Sequence, residues 1–167
     1  MATTRGLVVA IVGAESTGKS TLARALAQRI TGETGLTCVS VDEHLRTWCE
    51  TMGRTPRIDE QRHLAQAQQL RISAAAATHD VVVADTTAAM IAVYSRFVFN
   101  DRSLDAWAAA EHAASVQQTL VTALDLPWVA DGLQREGEHV RRPIDAMLRE
   151  LLATHGIDWS LVSGNGD

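Results

Sequence analysis

Five short apolar runs divide the chain, each bounded by polar residues or glycine. The first reads GLVVAIV and is almost continuously apolar, which is typical of a strand buried on both faces of a parallel sheet. The run DVVVAD has the same character and ends on an acidic residue. The pattern predicts five β-strands, at residues 6–12, 36–41, 80–85, 119–124 and 159–162.

Between these runs the apolar positions follow a helical period, and Gly32 is expected to end the first helix. The predicted helices cover residues 19–30, 42–52, 59–78, 87–99, 104–114 and 139–154. Asp101 or Ser103 is expected to cap the fifth. This alternation predicts an α/β fold, a five-stranded parallel sheet with helices on both faces and right-handed crossovers. The length of 167 residues suits a single domain, residues 1–167.

The segment between the first strand and the first helix reads GAESTGKS and satisfies the P-loop pattern G-x-x-x-x-G-K-[ST]. Gly13 and Gly18 permit backbone angles that point successive N–H groups into one concavity, where phosphate oxygens bind. Lys19 adds a positive charge for the β and γ phosphates, and Ser20 adds a hydroxyl for magnesium. The motif predicts binding of ATP and Mg²⁺, with contacts from Gly13, Ala14, Glu15, Ser16, Thr17, Gly18, Lys19, Ser20 and Thr21.

A P-loop protein places a carboxylate near its metal, usually at the end of another buried strand. Asp85 ends the run DVVVAD and is the candidate, with Ser20 as the second metal ligand. Asp85 and the neighbouring Thr86 are also expected beside the acceptor substrate. The alternative for Asp85 is to cap the following helix, a role that Thr86 or Thr87 could also take.

Transfer of a phosphoryl group to a small molecule needs a group that accepts the proton of the attacking hydroxyl. Asp42 and Glu43 follow the second strand, and the carboxyl ends of parallel strands converge on the ligand crevice. Either acid is a candidate for the base and for substrate contact, and helix capping is the alternative. Arg46 lies one helical turn after Glu43, where it could hold that carboxylate or contact a phosphate.

Residues 125–138 form a polar, glycine-containing segment that carries Arg135, and Arg141 and Arg142 follow it within a lid region of about residues 125–142. We predict a short lid whose arginines, Arg135 in particular, close over the transferring phosphoryl group and exclude water. The alternative is a solvated loop with basic residues at the surface.

The overall charge of −5 argues against a surface built to neutralise nucleic-acid phosphates. No apolar run approaches the roughly 18 residues of a bilayer span, and the N-terminus lacks the pattern of a secretory signal. These features predict a cytoplasmic protein with a small-molecule substrate and no nucleic-acid or membrane partner. They leave a homo-oligomer open.

Four strings, GAESTGKSTLARALA, DEHLR, VVVADT and PWVADGLQR, occur in an order that resembles the ribosylnicotinamide kinase domain of NadR-type proteins. The resemblance spans roughly residues 7–153, and its most specific parts are Glu15 in the P-loop and the string WVADG at residues 128–132. It implies ATP-dependent phosphorylation of the 5′-hydroxyl of nicotinamide riboside, which yields nicotinamide mononucleotide in NAD salvage. It also implies that Asp85 lies by the metal or the ribose, that Asp42 or Glu43 is the base, and that Arg135 is the lid arginine.

The sequence departs from the family pattern at several points. His44 replaces an aromatic residue beside the glutamate of the Glu-x-x-Arg element, and the chain begins one strand before the P-loop, so an adenylyltransferase activity is not expected. Two alternatives therefore stay open. The first is a P-loop kinase for another small metabolite, and the second is an ATP-binding regulatory module. The absence of an Asn-Lys-x-Asp string argues against a GTPase.

Overall fold

The computed structural model describes residues 5–130 and 137–164. The strands are β1 (Leu7–Val12), β2 (Cys38–Val41), β3 (Val81–Asp85), β4 (Gln118–Thr122) and β5 (Ser160–Val162). They form one sheet in the order β2-β3-β1-β4-β5, and their pairings are parallel. The predicted five-stranded parallel sheet is therefore confirmed, with β1 at its centre.

In the part of the chain that the structure describes, six α-helices connect and cover these strands. They are α1 (Lys19–Thr34), α2 (His44–Met52), α3 (Gln61–Ala76), α4 (Ala88–Phe99), α5 (Asp105–Ser115) and α6 (Arg141–Thr154). Short 3₁₀ turns at Ile58–Glu60 and Glu138–Val140 precede α3 and α6. Within the described ranges, no helix has the length and hydrophobicity that a bilayer span requires.

Alternate residues of the central strands face opposite layers of helices. Ile11 and Val83 pack against Ala23 of α1, whereas Val8 and Val82 pack against Ile72 of α3 on the other face. Helices α4 and α6 extend this second layer over the ends of β1 and β4. Because both faces are covered, every residue of β3 is buried, which explains its unbroken apolar run. The predicted two-sided arrangement of helices is confirmed.

Two predicted helix ends are wrong. Helix α1 continues through Gly32 and ends before Gly35, which adopts the left-handed conformation (φ 72°) and donates its N–H to the Thr31 carbonyl. A left-handed residue just beyond the last turn is what stops a helix, and Gly35 takes that role. At α5 the residue before the first turn is Leu104, with no side-chain cap. Asp101 instead accepts a hydrogen bond from the Ser103 N–H (2.9 Å) in the preceding turn.

Candidate functional site

The sheet brings the ends of three strands together around the P-loop. In the parallel register Ile11 of β1 lies beside Asp85, the last residue of β3. On the other side, Val12 lies beside Val121, so that Thr122 at the end of β4 also borders the loop. Ligands of open α/β sheets bind at the carboxyl ends of the strands, and both neighbours of β1 contribute a polar residue there.

The backbone of the P-loop takes several conformations that side chains disfavour. Gly13 has φ 155°, Ser16 has φ 52° and Gly18 has φ 79°. A Cβ at Gly13 would lie 2.0 Å from the Thr122 hydroxyl oxygen, so only glycine fits at this position. Gly18 occupies the N-cap of α1 and has no side chain to cover the N–H groups of the first turn. This end of α1 therefore suits an anion.

A pair of threonine hydroxyls stabilises the P-loop through hydrogen bonds. Thr17 Oγ1 donates to the Ala14 carbonyl oxygen (2.9 Å) and lies 2.6 Å from Thr122 Oγ1. Both side chains are buried. The sequence interpretation did not include Thr122. Its signal was a polar residue inside the predicted apolar strand 119–124, but its role depends on which strand lies next to β1.

Lys19 folds back across the loop that it follows. Its Nζ donates a hydrogen bond to the Ala14 carbonyl oxygen (2.7 Å), and the side chain is almost completely buried. The positive charge is therefore held against the backbone of the P-loop.

Ser20 and Asp85 meet at the bottom of the site. Ser20 Oγ donates to Asp85 Oδ2 at 2.5 Å, and the Asp85 side chain is 1% exposed. Within residues 5–130 and 137–164, the second carboxylate oxygen, Oδ1, has no hydrogen-bond partner. A buried carboxylate oxygen without a donor is a ready ligand for a hard cation such as Mg²⁺, which prefers oxygen ligands. The two residues that the sequence predicted for the metal thus fit one.

The two acids after β2 have different surroundings. Asp42 is about half exposed and pairs with Arg24 on the outer surface (Nη2 to Oδ1, 3.2 Å). Glu43 is 11% exposed, and its Oε2 lies 3.9 Å from Nε of Arg46. Arg46 lines the cavity above the P-loop. Glu43 therefore lies beside a residue of the cavity wall, whereas Asp42 makes its ion pair at the outer surface.

The helix after β3 is capped by Thr87, whose Oγ1 accepts a hydrogen bond from the Ala89 N–H (3.3 Å). Asp85 therefore does not serve as this cap. Thr86 lies between them in a left-handed conformation (φ 68°) and donates its N–H to the Ile11 carbonyl oxygen (2.9 Å). This conformation is uncommon for a β-branched residue and fixes the backbone beside Asp85.

A buried histidine extends the contacts of Thr87. His112 Nδ1 lies 2.9 Å from Thr87 Oγ1, and its Nε2 lies 2.8 Å from Thr119 Oγ1. Burial lowers the pKa of His112 from 6.5 to about 4. The imidazole is therefore neutral at physiological pH, and it links α4 to β4 behind the site.

The cavity over the P-loop has a volume of about 610 Å³. Residues 126–130 form one wall, and Ser16 Oγ holds this wall by donating to the Val129 carbonyl oxygen (2.7 Å). An adjoining cavity of about 400 Å³ lies between α1 and the end of β5. The larger cavity is lined by Ser16, Thr17, Gly18, Lys19, Ser20, Thr21, Arg46, Leu126, Pro127, Val129 and Ala130.

The last two residues of the predicted lid are helical. Arg141 and Arg142 belong to the first turn of α6, because the helix begins there. Arg141 is buried and donates to the Leu126 carbonyl oxygen (2.9 Å), while Arg142 is exposed. Neither is therefore a free lid arginine of the predicted kind. Arg135 lies outside the described residues, as does the Asp-Gly pair at 131–132.

Solved structures share this fold. A NadR protein in complex with NR matches with a TM-score of 0.79 and 23% identity, over 97% of this chain and 47% of that chain. NadR in complex with NAD and AMP-PNP matches with a TM-score of 0.73 and 23% identity, over 97% and 45%. The chain thus spans about half the length of these NadR structures. Thymidylate kinase from Ehrlichia chaffeensis matches with a TM-score of 0.64 and 8% identity, over 98% and 89%.

These likenesses confirm the predicted P-loop kinase fold. No curated protein matches the sequence. The family model described as "AAA domain" matches residues 8–167, which include the P-loop, β1 from its second residue onward, and the other strands and helices described above. The chain therefore belongs to the AAA domain family.

Proposed function

We propose that this protein is a kinase that transfers the γ-phosphoryl group of ATP to the 5′-hydroxyl of nicotinamide riboside, giving nicotinamide mononucleotide and ADP in NAD salvage. One observation carries the proposal: a complete P-loop lies in a fold shared, over 97% of the chain, with NadR in complex with NR. The second NadR structure holds AMP-PNP, an ATP analogue, together with NAD. Since ATP is an intracellular metabolite, a cytoplasmic location is part of the proposal.

In this proposal, residues 13–20 hold the triphosphate. The N–H groups at the start of α1 and the Lys19 ammonium supply donors and positive charge around the same concavity. Nζ of Lys19 would exchange the Ala14 carbonyl for phosphate oxygens. The adjoining cavity between α1 and β5 would take the nucleoside end of ATP. Its far wall is held by the hydrogen bond from Gly164 N–H to Asp125 Oδ2 (2.7 Å).

Ser20 and Asp85 would hold Mg²⁺. The uncapped Oδ1 of Asp85 and the Ser20 hydroxyl give an oxygen donor pair of the type that this cation selects. When bound, Mg²⁺ neutralises charge on the phosphate oxygens. The protein contributes a buried, fixed carboxylate, so that no rearrangement of the sheet is needed to receive the ion.

We assign the base to Glu43 in preference to Asp42. The Glu43 side chain is largely buried and lies next to Arg46, which lines the cavity, whereas Asp42 pairs with Arg24 at the surface. In the reaction the 5′-oxygen of the riboside forms a bond to the γ-phosphorus, and the bond from that phosphorus to the β,γ-bridging oxygen breaks. ADP leaves with the electron pair, and the hydroxyl proton passes to the Glu43 carboxylate. Arg135 stays a prediction as the lid arginine.

The acceptor is tested by ADP release in the presence of a panel of ribosides and other small alcohols. Nicotinamide riboside is expected to stimulate ADP release most, and Lys19→Ala is expected to abolish it while the folded circular-dichroism spectrum is kept. Stronger stimulation by another metabolite would contradict the assigned acceptor. If no acceptor stimulates ADP release and a partner protein does, the protein is a regulatory ATP-binding module instead.

A further inference from the structure

We propose that Gln68 is a positioning residue that sets the distance between the proposed base and the proposed metal carboxylate. The proposal rests on the function above, since it concerns Glu43 and Asp85 of that same site. Gln68 lies on α3, outside the P-loop and outside every segment that the sequence predicted for the site.

The Gln68 side chain joins two backbone segments that are far apart in sequence. Its Oε1 accepts a hydrogen bond from the His44 N–H (2.9 Å), and its Nε2 donates to the Thr86 carbonyl oxygen (3.2 Å). His44 directly follows Glu43, and Thr86 directly follows Asp85. One amide group therefore connects His44, next to the proposed base, with Thr86, next to the proposed metal carboxylate. Gln68 is 1% exposed, so water does not compete for these contacts.

Both backbone partners need such a contact. The N–H groups in the first turn of a helix have no intrahelical acceptor. Glu43 is the N-cap of α2, and its side chain makes no cap hydrogen bond to them. The Gln68 carbonyl oxygen supplies an acceptor to one of them. Thr86 has the left-handed conformation (φ 68°), and the Gln68 amide holds the carbonyl that this conformation directs toward α3. An amide suits this position because the two partners are one donor and one acceptor.

The neighbouring residue offers a matched control. Gln69 is also on α3 and is 7% exposed, and its Nε2 donates to Ser115 Oγ of α5 at 2.8 Å. Gln69 thus makes a comparable buried hydrogen bond, but it contacts neither α2 nor the end of β3 through that bond. Comparing Gln68→Leu with Gln69→Leu separates two effects. One is the loss of a buried amide in general, and the other is the loss of the link to the site.

The kinetic test measures riboside kinetics and MgATP affinity on the same preparations. Gln68→Leu is expected to lower kcat/KM for the riboside by about tenfold to a hundredfold, since small displacements of reacting groups cost that much. The Kd for MgATP by calorimetry is expected to stay at the wild-type value, and Gln69→Leu is expected to keep both constants. Equal losses in the two variants, or a parallel loss of MgATP affinity in Gln68→Leu, would overturn the proposal.

The Gln68→Glu variant distinguishes the proposed positioning role from a purely structural one. A protonated glutamate can still donate to Thr86 and accept from His44, whereas an ionised one cannot donate. Burial raises the pKa of such a carboxyl, so the protonated form is accessible in mildly acidic buffer. The kcat/KM of this variant, divided by that of the wild type at each pH, is expected to rise as the pH falls. A flat ratio would contradict the link.

Hydrogen exchange separates failure of this proposal from failure of the proposed function. The His44 amide is expected to exchange faster in Gln68→Leu than in the wild type or in Gln69→Leu. If the wild-type protein phosphorylates no riboside, the proposed function fails. If His44 exchange is unchanged in Gln68→Leu, the link itself is overturned, whatever the activity.

Discussion

Ser20 and Asp85 are 65 residues apart in the sequence and share a hydrogen bond of 2.5 Å between Oγ and Oδ2. The contact follows from the sheet order, because β3 lies next to β1 and its last residue is level with Ile11. The first turn of α1 and the end of β3 therefore meet directly below the P-loop. This contact ties the phosphate-binding loop to the carboxylate that we propose for the metal.

Asp85→Asn is expected to remove the metal-dependent part of nucleotide binding. The amide keeps the shape of the side chain but removes its negative charge, so the affinity for MgATP should fall, while that for ATP in EDTA should stay the same. Turnover should fall on the order of 10²-fold. Calorimetry with and without Mg²⁺ measures the two affinities. An unchanged ratio between them would remove Asp85 from the metal site.

Glu43→Gln and Asp42→Asn, made separately, identify the base. Because Glu43 lies beside Arg46, which lines the cavity, and Asp42 pairs with Arg24, only Glu43→Gln is expected to lower kcat, by about 10²-fold or more. Asp42→Asn should remove only the surface ion pair with Arg24 and leave kcat unchanged. Steady-state kinetics with saturating ATP and riboside decide between them. Equal and mild effects would contradict both assignments, and a large effect of Asp42→Asn alone would reverse ours.

Thr122→Val is expected to weaken MgATP binding several-fold. The valine keeps the volume but loses the hydroxyl that lies 2.6 Å from Thr17 Oγ1 in the P-loop. One buried hydrogen bond contributes about 1 kcal/mol, which corresponds to roughly fivefold in Kd. Thr122→Ser, which keeps the hydroxyl, serves as the control. Wild-type affinity in Thr122→Val, measured by calorimetry, would show that the loop does not depend on this contact.

His112 is expected to make stability pH-dependent. Its pKa falls from 6.5 to about 4 on folding, so the unfolded chain binds a proton more readily than the folded one. The free energy of unfolding is therefore unaffected by His112 protonation above about pH 6.5. It decreases as the pH falls toward 4, by at most on the order of 3 kcal/mol.

Urea unfolding of the wild type and of His112→Gln between about pH 7 and pH 4 measures this effect. The free energy of unfolding of the wild type should decline more steeply with acidity than that of the variant. Parallel declines would show that the buried imidazole does not carry the effect.

Much of the fold and part of the site could be read from the sequence. The buried strands of a parallel sheet are apolar on both faces, so GLVVAIV and DVVVAD identified β1 and β3 directly. The P-loop has fixed residue types because its backbone needs them, and Asp85 was predictable as the acid that ends a buried strand. These features depend on local backbone geometry and on a simple alternation of elements.

Other parts of the site depend on neighbours that the sequence does not specify. Asp42 and Glu43 are adjacent, and only the end of β2 and the start of α2 decide which one turns inward. Thr122 matters because β4 lies beside β1, and Gln68 matters because α3 presents it to α2 and β3. Gly32 and Gly35 are equally plausible helix ends until the left-handed residue is located.

Phosphoryl transfer to the riboside is measured by following the γ-phosphoryl group itself. Wild-type protein is incubated with Mg²⁺, nicotinamide riboside and ATP radiolabelled in the γ position, and the products are separated by chromatography. We expect label in nicotinamide mononucleotide, one ADP for each labelled product, and no transfer by Lys19→Ala. Label that stays in ATP or appears only in inorganic phosphate, with folded wild-type protein present, would contradict the proposed function.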